Sequence, residues 1–305
     1  MIVQGRDYEH TLEFDRFGAA CGLTYQPGDA GAIARLVLSG GAFDVAEFSL
    51  SASMILADRG NLPVVLVPVF PARAFFHSYL FVRSDSRLSA IQDLSGIRIG
   101  LRDFTSTGAI WFRGLLHTLG LDWRSITWVT GPSARFVPPA DAWISPATGD
   151  LEQMLLDGEI DLFFSARVKD SARLAAERRI RPLLADARAQ EAASRAFPII
   201  HAVALSKQAL AARPSLAREV FETYSATKRQ ALKRKLGASF MPWADSNWID
   251  ATAIFGDDPL PYGLTEGNRR MIESLGAHLA AQGLTSGPVP VDSLFHPDSA
   301  AWGAG

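Results

Sequence analysis

Short apolar runs that alternate with amphipathic stretches are the feature that most restricts the fold of this 305-residue chain. The runs have the length of strands, and the stretches between them have helical periodicity. Strands are predicted at 43–48, 64–69, 97–101, 126–129, 161–164 and 181–184, and helices at 31–38, 51–59, 107–119, 151–157, 186–195, 214–236 and 265–282. This alternation is typical of parallel α/β sheets. We therefore predict an α/β fold with a helical C-terminal part.

Two strand-like segments, 77–83 and 197–205, each contain one histidine and bracket a compact α/β stretch. That stretch is about as long as one small domain. A chain that leaves one domain, builds a second and returns would use two such crossover strands. We therefore predict two lobes, formed by 1–80 with 204–305 and by 81–203, and a ligand cleft between them. The segment 131–149 is rich in Pro, Ser and Gly and is predicted to be a loop.

Composition excludes several classes of protein. Hydrophobic residues make up 48% of the chain and charged residues 20%, which is enough to fill proper cores. The net charge of −2 gives no basic field for nucleic acid, and no stretch is long enough for a membrane span. The chain begins with Met and lacks the pattern of an export signal, so we expect a cytoplasmic protein. Cys21 is alone, which excludes an intramolecular disulfide and a cysteine-based zinc site.

Helix-capping residues follow two of the predicted strands, where ligands of open parallel sheets bind. They are Ser49 and Ser51 after strand 43–48, and Thr105, Ser106 and Thr107 after strand 97–101. The free N–H groups of a helix start attract anions. An anionic ligand is therefore predicted, although structural capping alone explains each segment equally well.

Four titratable or charged residues are candidates for chemistry. Arg73 can grip a carboxylate, and His77 and His201 can transfer a proton near neutral pH. Glu47 stands in an apolar strand, where burial would raise the pKa of its carboxyl as an acid catalyst needs. The alternatives are that each histidine is structural and that Glu47 forms a salt bridge with Arg73 or another base.

Six blocks of sequence resemble the 4,5-dihydroxyphthalate decarboxylase family, and they occur in the same order. The blocks are 43–51, 68–78, 109–114, 158–167, 197–201 and 261–264. The resemblance runs over nearly the whole chain. It implies the type 2 periplasmic-binding-protein fold, related to transport receptors, and removal of one carboxyl from a hydroxylated phthalate.

The resemblance also implies roles for residues and a chemistry that needs no cofactor, and the sequence contains no pattern that argues for a metal site, which stays open. A ring hydroxyl pushes electrons into the ring, and a general acid protonates the carbon that bears the departing carboxyl. His77 or His201 would be that acid, with His77 favoured and Glu47 next in line. Arg73 and the two helix starts would hold carboxylates. Further binding candidates are Arg113 and Arg167 as anchors and Tyr262 as a stacking ring, although Arg113 could be a surface residue and Tyr262 a core residue.

Three functions remain open at this stage. The first is decarboxylation of a small aromatic carboxylate, with no nucleic-acid or membrane partner and with a homo-oligomer left open. The second is a non-catalytic solute-binding protein for a small anion. The third is another enzyme class on the same scaffold, since a fold alone does not decide function.

Overall fold

The computed structural model describes residues 1–131, 135–166, 177, 179–235 and 243–303. The chain divides into two compact units. The first unit consists of Met1–Arg73, Ile199–Gly276 and Pro288–Gly305, and the second of Ala74–Pro198 and Ala277–Gly287. The chain leaves and re-enters the first unit earlier than the boundaries drawn from the sequence at 80 and 204, and the short segment Ala277–Gly287 joins the second unit.

The first unit is built on a five-stranded mixed sheet. Its strands are β1 (Ile2–Gly5), β2 (Thr24–Pro27), β3 (Val45–Ser49), β4 (Val64–Arg73) and β11 (Ile199–Ser206), in the order β2-β1-β3-β11-β4. β1 runs parallel to β2 and β3, whereas β11 runs antiparallel to β3 and β4. The prediction of parallel pairing therefore holds for β1, β2 and β3 but not for β11. This strand pairs with its neighbours after the chain returns from the second unit, so no helical crossover sets its direction.

The second unit contains a six-stranded mixed sheet. Its strands are β5 (Leu80–Arg83), β6 (Arg98–Leu101), β7 (Thr127–Thr130), β8 (Ile144–Pro146), β9 (Leu162–Phe164) and β10 (Ile180–Pro182), in the order β10-β5-β9-β6-β7-β8. β8 corrects the prediction of a loop over 131–149. It is a three-residue strand parallel to β7, and a strand so short leaves no readable alternation in the sequence.

Ten α-helices occur in the described part of the chain. They are α1 (Phe14–Gly18), α2 (Ala30–Leu38), α3 (Leu50–Asp58), α4 (Thr107–Thr118), α5 (Leu151–Leu156), α6 (Ala187–Ser194), α7 (Lys207–Ala212), α8 (Leu216–Lys235), α9 (Ala244–Phe255) and α10 (Glu266–Ala281). The helices predicted from the sequence are present. α1, α7 and α9 were not predicted, because they are short or lack a clear apolar face. No helix among these residues is both long enough and apolar enough to cross a bilayer.

β3 is the strand that matters most for the site. All five of its residues are buried, as is usual for a strand covered on both faces. Val45 of β3 joins a core that includes Val203 of β11 and Val220 and Tyr224 of α8. A charged residue in such a strand requires bonding partners to offset the cost of burial.

Candidate functional site

Glu47 and His201 form a buried pair on neighbouring strands of the first unit. In the antiparallel register of β3 and β11, Val203 stands opposite Glu47 and His201 opposite Ser49. Glu47 and His201 are therefore diagonal neighbours on one face of the sheet, within reach of each other. The Nδ1 atom of His201 lies 2.5 Å from Oε1 of Glu47, and the two side chains are 16% and 1% exposed.

Two more donors complete the surroundings of Glu47. The hydroxyl of Tyr8 donates to Oε1 at 2.6 Å, and the backbone N–H of Arg6 donates to Oε2 at 2.9 Å. Gly5 leaves room for this arrangement. A Cβ atom at Gly5 would lie 3.4 Å from Oε2 of Glu47 and 2.3 Å from the hydroxyl of Tyr25.

These donors correct the prediction for the acidity of Glu47. Burial is the largest influence and by itself raises the pKa, as expected from the apolar strand. The hydrogen bonds and charge of His201, with the bonds from Tyr8 and Arg6, act in the opposite direction and together hold the pKa below its usual value. Glu47 is therefore an ionised carboxylate, suited to orient a histidine rather than to donate a proton. The base that it contacts is His201, not Arg73.

The serines that follow β3 cap α3. Ser49 is the N-cap residue, and its hydroxyl accepts the N–H of Ala52 at 3.2 Å. The hydroxyls of Ser49 and Ser51 lie 3.2 Å apart, and both residues are buried. Because Ser49 is the register partner of His201, the start of α3 lies beside the imidazole.

Arg73 ends β4 and is bonded within the first unit. Its Nη2 donates to the carbonyl of Pro261 at 3.0 Å and to Oδ1 of Asn268 at 2.6 Å. Burial lowers the pKa of Arg73 to about 10, which leaves it charged at neutral pH.

Tyr262, the predicted stacking ring, is part of the core cluster of the first unit. The Nζ atom of Lys228 lies 4.1 Å from the centre of its ring.

His77 lies in the second unit and has a looser environment than His201. It begins a 3-10 turn, His77–Tyr79, and not a strand as predicted, since β5 starts only at Leu80. Its Nδ1 lies 4.0 Å from Oε1 of Glu191 and has no hydrogen-bond partner in the described part of the chain. Burial lowers the pKa of His77, although the charges of Glu191 and Asp186 oppose that effect.

The capping residues of the second unit bond to their own helix and to Asp103. Ser106 is the N-cap of α4 and accepts the N–H of Ala109 at 3.4 Å. Thr105 donates its N–H and its hydroxyl to Oδ1 of Asp103, both at 2.8 Å, and is buried together with Thr107.

Arg113 is fully buried, which excludes the interpretation of a surface residue on its helix. Its Nε donates to Oε1 of Gln282 at 2.8 Å. The guanidinium carbon lies 3.7 Å from the ring centre of Phe104 and 5.6–5.7 Å from those of Trp123 and Trp128. Burial lowers the pKa of Arg113 to about 9. Arg167, the other predicted anchor, lies outside the described residues.

The sequence did not point to Tyr8 or Asn268, each of which bonds a candidate residue. The position of Tyr8 could have indicated it. Tyr8 lies in the polar segment 6–10, which follows the carboxyl end of the parallel strand β1, where ligands of such sheets bind. No cluster of three or more His, Cys, Asp or Glu side chains within the described ranges is arranged to hold a metal ion.

Comparison with curated proteins confirms the resemblance that the motifs indicated. The chain is 29% identical to the 4,5-dihydroxyphthalate decarboxylase of Comamonas testosteroni over 278 residues, covering 84% of this chain and 83% of the relative. It is 35% identical to the 4,5-dihydroxyphthalate decarboxylase of Pseudomonas putida over 136 residues, covering 41% of this chain and 53% of that protein.

The fold is that of periplasmic binding proteins. A family model described as the phosphonate periplasmic substrate-binding protein of an ABC transporter matches residues 24–135. The structure resembles a putative sulfonate-binding protein, SsuA, from Methylobacillus flagellatus, with a TM-score of 0.60, 15% identity and coverage of 99% of this chain and 93% of that one. It also resembles the desulfurization enzyme DSZB, with a TM-score of 0.58, 16% identity and 98% and 97% coverage. This fold therefore occurs in proteins described as a binding protein and as an enzyme.

Proposed function

We propose that this chain, which resembles the 4,5-dihydroxyphthalate decarboxylase family over most of its length, is a carboxy-lyase that acts on a hydroxylated aromatic acid. The proposed substrate is 4,5-dihydroxyphthalate or a close analogue. We also propose that the protein is cytoplasmic, as expected for an enzyme of aromatic catabolism. Cell fractionation tests this location.

The contact between Glu47 and His201 is the observation that carries the proposal. A carboxylate bonded to Nδ1 fixes the orientation of an imidazole. In the charged form of the ring the other nitrogen, Nε2, also carries a proton, and this is the proton proposed to be transferred. His201 is therefore the proposed general acid, and Glu47 the residue that positions it.

The proposed step forms one C–H bond and breaks one C–C bond. Nε2 of His201 gives its proton to the ring carbon that bears the carboxylate, while a ring hydroxyl supplies electron density to that carbon. The bond to the carboxylate then breaks, carbon dioxide leaves, and the electron pair of that bond restores the aromatic ring. His201 regains a proton from solvent, so each turnover consumes one proton.

The carboxylate that stays on the ring needs a separate binding group. The start of α3 is the proposed one, because its free N–H groups attract anions and Ser49 stands opposite His201. Arg73 is the proposed second anchor, since it is charged at neutral pH and lies at the end of β4. Ser51 contributes to the proposed site through its contact with Ser49.

Release of carbon dioxide from a panel of hydroxybenzoic and hydroxyphthalic acids tests the proposal. We expect one molecule of carbon dioxide per molecule of 4,5-dihydroxyphthalate and a monocarboxylic product. Phthalate is the control substrate, because it lacks the hydroxyls that supply electrons to the ring, and it should release none.

A solute-binding function is the second candidate, favoured by the family model that matches residues 24–135. The same panel separates the two functions. Tight binding of an aromatic acid without any release of carbon dioxide would favour the binding protein.

A further inference from the structure

Arg6 has a main chain that is bonded to the proposed active site on both of its sides. It follows β1 directly, and β1 is the parallel neighbour of β3, so Arg6 and the start of α3 lie at the same edge of the sheet. The N–H of Arg6 donates to Oε2 of Glu47 at 2.9 Å, and its carbonyl accepts the hydroxyl of Tyr25 at 2.7 Å. The backbone of Arg6 is therefore fixed to the carboxylate that orients His201.

The guanidinium of Arg6 lies over an aromatic ring of the same site. Its central carbon is 5.5 Å from the ring centre of Tyr8, whose hydroxyl donates to Oε1 of Glu47. The ring of Tyr8 is also stacked on that of His10, with centroids 5.0 Å apart. A ring face attracts a cation without using its N–H donors, so these stay available to another acceptor. The charge of Arg6 is thus held one aromatic ring away from Glu47.

No carboxylate in the described part of the chain pairs with the guanidinium of Arg6. Glu47 does not do so, because its Oε1 is bonded to His201 and Tyr8 and its Oε2 to the N–H of Arg6. Arg6 is half-buried, so part of the residue is accessible from solvent. Its donors therefore combine an anchored position with access for an anion.

Arg16 shows the contrast within the same unit. Its guanidinium carbon also lies over a ring, 5.4 Å from the centre of Phe17. Its Nη1, however, donates to Oε2 of Glu13 at 2.8 Å, and its side chain is 68% exposed. Arg16 is therefore a surface arginine with its own carboxylate, whereas Arg6 stands beside the proposed site without one among the described residues.

We propose that Arg6 binds the carboxylate that stays on the ring of the substrate. The inference rests on the proposed function for the kind of ligand and goes beyond it by assigning a further binding residue. The retained carboxylate keeps its charge throughout the reaction, and a planar guanidinium can bond both of its oxygens. A cation on the departing carboxylate would instead stabilise the charge that has to be lost as carbon dioxide leaves.

Calorimetric binding of 3,4-dihydroxybenzoate and 3,4-dihydroxybenzamide tests the inference. The first is the product expected from 4,5-dihydroxyphthalate and carries the retained carboxylate, whereas the second has a neutral amide in its place. Neither ligand requires turnover to be measured. Arg6→Gln should weaken binding of the carboxylate by about 10- to 100-fold, because a charged hydrogen bond is lost. Its dissociation constant for the amide should stay within about threefold of the wild-type value.

Arg16→Gln is the matched control and should bind 3,4-dihydroxybenzoate as tightly as the wild type. Unfolding temperatures show whether each variant is folded. If Arg6→Gln is not, Arg6→Met replaces it with the same expectation, since it keeps an apolar stem over Tyr8.

Equal affinity for the carboxylate in the wild type and the Arg6 variant overturns the inference, as does a wild type that does not prefer the carboxylate to the amide. The result is independent of carbon dioxide release. Binding of the carboxylate that depends on Arg6, in a chain that releases no carbon dioxide, overturns the proposed function alone. Normal release of carbon dioxide with binding that does not depend on Arg6 overturns the inference alone.

Discussion

In the described part of each unit a histidine lies beside a buried glutamate, and the two pairs differ in how closely they are bonded. In the first unit, Nδ1 of His201 lies 2.5 Å from Glu47, whose remaining bonds come from Tyr8 and the N–H of Arg6. In the second unit, Nδ1 of His77 lies 4.0 Å from Oε1 of Glu191, and that oxygen accepts the N–H of Ser78.

Under the proposed function, the difference in bonding predicts which histidine transfers the proton. A carboxylate in hydrogen-bond contact fixes the orientation of the ring, whereas at 4.0 Å no hydrogen bond forms. Burial also lowers the pKa of His77, which favours its neutral form at neutral pH. The sequence favoured His77 because Arg73 and His77 occur in one segment, but the two residues belong to different units.

The largest expected effect separates the two histidines directly. His201→Gln should lower the rate of carbon dioxide release by about 10²–10⁴-fold, because it keeps size and hydrogen bonding but removes acid–base chemistry. His77→Gln should change the rate by less than about tenfold. Circular dichroism first shows that each variant is folded. The measurement is then the rate of 4,5-dihydroxyphthalate turnover by both variants. If His77→Gln lowers the rate more than His201→Gln does, His77 is the general acid.

The glutamates provide the second comparison. Glu47→Gln keeps the shape of the side chain but removes the carboxylate that orients the ring of His201, so turnover should fall by about 10²-fold. Glu191→Gln removes a carboxylate that makes no hydrogen bond to His77, and turnover should stay within about threefold of the wild type. The ratio of kcat to KM for each variant is the measurement. If both glutamate variants lose the same turnover, the hydrogen bond between Glu47 and His201 does not account for the function of that pair.

Local features of the site were predictable from the sequence, and long-range ones were not. The N-caps Ser49 and Ser106 follow from a polar residue between a strand and a helical pattern, and both accept the expected backbone N–H. The burial of Glu47 also follows from its apolar strand. Its acidity was predicted in the wrong direction because its hydrogen-bond donors come from Tyr8 and His201, which are 39 and 154 positions away. No local pattern encodes such pairings.

The arginines extend the comparison from proton transfer to binding. Arg73→Ala should weaken substrate binding by about 1.5–3 kcal/mol if a charged hydrogen bond is lost. Arg113→Ala should act on stability instead, because Arg113 is fully buried against Phe104 and its loss leaves a cavity. Substrate titrations and urea unfolding of both variants separate the effects. An unchanged KM and turnover in the Arg73 variant would remove that residue from the proposed site.

The smallest expected effect is on the dependence of stability on pH. The pKa of His10 is about 4 in the folded chain and about 6.5 in the unfolded one. Between these values the unfolded state binds more protons, so the free energy of unfolding falls as the pH falls through this window. The contribution of His10 should amount to about 2 kcal/mol between pH 7.5 and pH 5.0. This range lies above the titration of Glu47, whose own contribution is lost only at lower pH.

Urea unfolding at pH 7.5 and pH 5.0 measures this contribution in three chains: the wild type, His10→Phe and His77→Gln. The wild type should lose more stability on acidification than His10→Phe, because the variant has no buried neutral histidine at that position to protonate on unfolding. His77→Gln should lie between the two, since burial lowers the pKa of His77 while Glu191 opposes the shift. If the loss in His10→Phe equals that of the wild type, His10 is not held neutral in the folded chain.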